Sequence, residues 1–63
     1  MKYREIEKII IEDGWYLDRQ KGSHRQFKHN TKKGLVTIAG KNNSDVPYKI
    51  LKSILNQAQI IIK

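Results

Sequence analysis

Sixty-three residues carry 13 Lys+Arg against 6 Asp+Glu, a net charge of +7, and no cysteine. One domain is expected over residues 1–63, and so short a chain buries only about 60% of the surface its unfolded form exposes, so nearly every large apolar residue must join the core. Disulfides and thiolate metal ligands are excluded; the two histidines and six carboxylates show no HExxH-type or His-rich spacing, so no metal or other cofactor is expected.

The positive charge points to a polyanion: nucleic acid, an anionic membrane or an acidic protein. Ile9–Ile11 and Ile60–Ile62 are the longest apolar runs, far below spanning length. The start, Met1-Lys2-Tyr3-Arg4-Glu5, has no signal-peptide core. The expectation is a cytoplasmic protein with no membrane partner.

Lys2 to Asp13 has helical spacing. Ile6, Ile9, Ile10 and Asp13 fall on one face, and Tyr3 extends it back by a turn. Glu5 and Lys8 can pair outside, and Ile11 lies at the edge of the face. Gly14 suits a left-handed C-cap.

Trp15 to Gln20 alternates as a strand, with Trp15 and Leu17 on one side and Tyr16, Asp18 and Gln20 on the other. Lys21-Gly22-Ser23 reads as a hairpin turn. His24 to His29 is the second strand. Phe27 shares its covered face with Arg25 and His29, which leaves His24, Gln26 and Lys28 on the open face. Residues 30–34 form a second turn. Leu35 to Ala39 is the third strand, with Val36 and Ile38 inward.

Gly40 to Val46 is a polar loop with no apolar anchor until its end. Pro47 suits the first turn of a helix, with Ser44 or Asp45 as local cap. Ile50, Leu51, Ile54, Leu55 and Ala58 form an apolar stripe. The tail Ile60–Ile62 is either a short edge strand or a sticky end used in assembly. The order is α-β-β-β-α: an antiparallel three-stranded sheet with two helices on one face and the other face open.

Gly22-Ser23-His24-Arg25-Gln26-Phe27 concentrates the chemistry. It joins a turn glycine to a histidine at a strand start, among lysines and arginines. Histidine is the side chain that can take and give a proton near neutral pH. Taken alone, a histidine in this position is most simply a solvated surface residue.

The ordered series Gly14-Trp15, Gly22-Ser23-His24, Phe27-Lys28-His29, Gly34 before Val36-Thr37-Ile38, Asp45-Val46-Pro47 and Leu51–Ala58 resembles the HicA family of small toxins. The likeness covers nearly the whole chain. It implies a fold like a double-stranded-RNA-binding domain. It also implies an endoribonuclease that cleaves mRNA, a HicB-like antitoxin that blocks the active site, and a catalytic histidine at His24. The chain departs from the family at Tyr48-Lys49-Ile50, where Gly-Thr is common, and at Gln59, where the family closes on Gly. The loop before Pro47 lacks the histidine many relatives carry there.

RNA brings its own nucleophile, the 2′-hydroxyl. His24 would serve as base for that proton or as acid for the leaving 5′-oxygen. Lys28 is the first choice to stabilise phosphate charge, with Arg25 and Lys21 nearer in sequence. The expected RNA-contacting set is Lys21, Ser23, Arg25, Lys28, Lys32 and Lys33. His29 lies an odd number of residues from His24 and so emerges on the other face. The second proton carrier is Lys28, Ser23 or water. Tyr16, on the open face, is placed to stack on a base. A non-catalytic double-stranded-RNA-binding module is the competing reading.

Overall fold

The structure, a computed structural model, describes residues 1–61. Its element order is α1 (Tyr3–Glu12), β1 (Trp15–Lys21), β2 (His24–His29), β3 (Val36–Ala39) and α2 (Tyr48–Gln57). The sheet is antiparallel with β2 in the centre, in the order β1-β2-β3. The α-β-β-β-α order and the open sheet are as the sequence pattern requires.

The helical and strand periods meet in one core. Tyr3, Ile6 and Ile10 of α1, Trp15, Phe27, Val36 and Ile38 of the sheet, Val46, Ile54 of α2 and Ala58 are buried together. Ile9, Leu51, Leu55 and Ile60 pack against them. Two expected core members fall short. Leu17 is 48% exposed and Ile50 is 44% exposed. Leu17 faces the helical side beside Phe27 and Ile11, but α1 leaves it half open. Ile50 lies in the first turn of α2, and the buried side of that helix centres instead on Ile54. Of the tail, Ile60 is partly buried and Ile61 exposed; Ile62 lies outside the described residues.

Backbone groups anchor the polar loop. The first amides of α1, at Tyr3 and Arg4, donate to Ser44 O (3.0 Å) and Asn42 O (3.2 Å), and Val46 N donates to Met1 O (2.8 Å). Loop carbonyls therefore satisfy donors that a helix start leaves orphaned. Glu5 does not pair with Lys8; its carboxylate accepts from Lys2 N at 2.8 Å. Neither Ser44 nor Asp45 caps α2, whose N-cap is Pro47; Asp45 instead pairs with Lys2 at 3.0 Å.

Gly14 joins α1 to β1 at φ +109°, and a Cβ there would lie 2.7 Å from His29 Nε2. His29 cannot step aside. Its Nε2–H donates to Asp13 O (2.8 Å), and its Nδ1 accepts from the amides of Thr31 and Lys32 (both 3.1 Å). These partners put the ring proton on Nε2. Its ring also meets Trp15 edge-on, with centroids 5.1 Å apart. Gly14→Ala combines backbone strain with the loss of this bridge, so it should cost about 2–4 kcal/mol, read as a lower urea midpoint.

Candidate active site on the open face

One extra residue in β1 composes the site. Leu17 pairs with Phe27 and Arg19 with Gln26, leaving Asp18 as a bulge. Strict alternation would put Lys21 on the same side as Leu17. The bulge reverses the phase, so Arg19 and Lys21 join the open face. There Lys21 sits directly across from His24, with Ala39 on the other side of His24.

The two-residue turn fixes this end of the hairpin. Gly22 takes φ +59° while Ser23 stays at negative φ, the sign pattern of a type II′ turn. His24 is exposed, at the start of the central strand. Ala39 is small and leaves the imidazole approachable from the β3 side. Along β2, Gln26 follows at about 7 Å and Lys28 at about 13 Å from His24. Lys28 lies across from Tyr16, and its ammonium is 3.6 Å from Asp18.

Arg25 lies on the opposite face and is 9% exposed. Its Nη2 donates to Gly40 O (2.8 Å) and its Nη1 to Ser23 O (3.3 Å). Its Nε is 2.6 Å from Glu7 Oε1, an ionic contact without hydrogen-bonding alignment. The residue expected to touch RNA is instead spent inside. It ties the hairpin tip to the end of β3 and to α1, behind His24.

Lys32 is likewise engaged. Its ammonium donates to Asp13 Oδ2 (2.6 Å), Gln59 O (3.0 Å) and Ala58 O (3.2 Å). It thus compensates the C-terminal end of α2, whose last turn has no basic residue. Lys33 is exposed in the same turn. Both lie beyond the His29 end of β2, remote from His24. Ser23 is exposed at the hairpin tip. The structure therefore brings Lys21, Ser23 and His24 together, sets Lys28 further along the same face, and assigns Arg25 and Lys32 to internal contacts. Arg19 is the open-face cation that alternation alone overlooked. An aspartate in mid-strand was the only signal for the bulge that turns it outward.

Lys32 beside Asp13, chiefly through its hydrogen bond, holds that carboxyl below the ordinary aspartate value of 3.8. Asp45 is lowered in the same way by Lys2. A lowered folded-state value means that the stabilisation is complete above about pH 4 and is lost as pH falls through the lowered value. Asp13→Asn should therefore lose less melting temperature than the parent between pH 5 and pH 2, followed by circular dichroism.

Among the described residues there is no cluster of three or more His, Cys, Asp or Glu able to hold a metal, and no helix is long and apolar enough to cross a membrane.

The fold and this face define a small basic α-β-β-β-α domain that presents one histidine on an open sheet. A family model described as the HicA toxin of bacterial toxin–antitoxin matches residues 3–60. The chain belongs to the HicA toxin family, whose members are the toxins of toxin–antitoxin pairs, and this membership implies an antitoxin partner. No curated protein matches the chain.

Proposed function

We propose that this toxin is a metal-independent endoribonuclease that cleaves mRNA with His24 as its proton carrier, and that a HicB-like antitoxin silences it by covering the open face. The observation that carries this reading is the pairing of an exposed His24 with Lys21 across the hairpin.

The 2′-hydroxyl attacks the adjacent phosphorus while His24 accepts its proton or protonates the leaving 5′-oxygen. Lys21, directly across the strand pair, stabilises the charge that builds on the phosphate oxygens. Lys28 stands too far along the strand for that task and suits a neighbouring phosphate. Ser23 and Arg19 add contacts at either side of the scissile group. Arg25 and Lys32 act from inside, by holding the hairpin and the helix ends.

The chemistry predicts its own products. Purified protein incubated with single-stranded RNA in EDTA should yield fragments ending in 2′,3′-cyclic phosphate, and a strand with a 2′-deoxy sugar at the cut position should stay whole. Intact RNA at high protein excess would leave only binding.

A further inference from the structure

We propose that Tyr16 and Lys28 form a second subsite on the open face, in which an unpaired base stacks on the Tyr16 ring while Lys28 holds its phosphate. The idea deepens the ribonuclease reading and rests on it. It assigns the substrate as single-stranded RNA lying along β2.

The aromatic residues separate cleanly. Tyr3, Trp15 and Phe27 are buried at 8%, 1% and 2% exposure. Tyr48 is exposed, with Lys52 5.6 Å from its ring centroid, but it belongs to α2 in the helical layer. Tyr16 is the aromatic side chain of the open face, 45% exposed. The register places it beside Lys28. Two rows thus face the same way: Lys21 and His24 at one end, Tyr16 and Lys28 about 13 Å along the strand at the other. Gln26, Arg19 and Thr37 lie between them, polar and able to meet base edges.

An exposed ring with a cation at its flank is the pairing used by proteins that bind single strands: bases stack on the aromatic and phosphates meet the charge. A base held in a duplex cannot offer its face to such a ring. Asp18, 3.6 Å from the Lys28 ammonium, keeps that side chain over the row until a phosphate replaces the carboxylate.

The test uses the full chain and a fluorescent, short 2′-O-methyl oligonucleotide, which binds but cannot be cut. Tyr16→Ala should weaken binding by about 5- to 150-fold, the range that stacked bases span on alanine substitution. Tyr16→Phe should retain the parent affinity, and Tyr48→Ala should change nothing. Lys28→Ala should reduce the slope of log affinity against log salt by about 0.7, one single-strand phosphate contact. A duplex of the same sequence should compete poorly. In cleavage, Tyr16→Ala should slow a long RNA but not a dinucleotide, which is too short to reach the ring.

Unchanged affinity in Tyr16→Ala, or an equal loss in Tyr48→Ala, overturns the subsite. If the parent binds the oligonucleotide as described yet cuts no RNA, the ribonuclease reading fails and the subsite stands.

Discussion

Replacing His24 by alanine should lower RNA cleavage by roughly 10²–10⁴-fold, the contribution of a positioned proton carrier. Growth arrest on expression in bacteria should vanish with it. The fold should survive. His24 is exposed, and among the described residues no side chain hydrogen-bonds its ring, so its removal opens no cavity and orphans no partner. Circular dichroism and urea unfolding of the variant should match the parent. Lys21→Ala should fall between the two, because it removes charge stabilisation and leaves the proton transfer. A His24→Ala protein that still cuts RNA at the parental rate would end the catalytic assignment.

Arg25→Ala should give the largest loss of stability. The Glu7 and Arg25 side chains are 13% and 11% exposed. Removing one member leaves a nearly buried carboxylate without its partner, which costs roughly 3–5 kcal/mol. A chain of this length holds roughly 3–9 kcal/mol in all, so the variant should be substantially unfolded at growth temperature. Pairing Arg25→Met with Glu7→Leu should return most of the stability, since replacing both charges is close to neutral. It should not return full activity. The donors to Ser23 O and Gly40 O remain absent, and the strand end that carries His24 loses its tether. Urea midpoints and cleavage rates measured together separate the two roles. A double variant with parental rate would show that the tether does not position the histidine.

The order of elements and most of the core were legible because each rests on a period. The 3.6-residue recurrence of Tyr3, Ile6 and Ile10 and the alternation of Phe27 with His24 and Lys28 need no knowledge of partners. Parity also placed Arg25 on the covered side with Phe27. What parity could not supply was Glu7, arriving from a distant turn of α1 to neutralise it. The internal engagement of Arg25 was hidden for that reason. Lys32 was opaque in the same way: Asp13, Ala58 and Gln59 converge on it only after both helices dock. The bulge stayed hidden because Asp18 is polar and reads equally well on either phase of the strand. Gln59 adopts φ +57° after α2, so the helix ends as a glycine-closed one would, and its Nε2 donates to Lys33 O (2.9 Å).

Asp18 is the residue of β1 with no counterpart in β2, so the pairing on either side of it would survive its loss. Excising that single codon would leave Trp15 opposite His29 and Lys21 opposite His24, in an uninterrupted ladder. Excising Arg19 instead would give the same ladder with Asp18 opposite Gln26, whereas excising Tyr16 would turn Leu17 to the open face and Asp18 to the covered one. Naturally occurring length variation in this hairpin should therefore concentrate at positions 18 and 19.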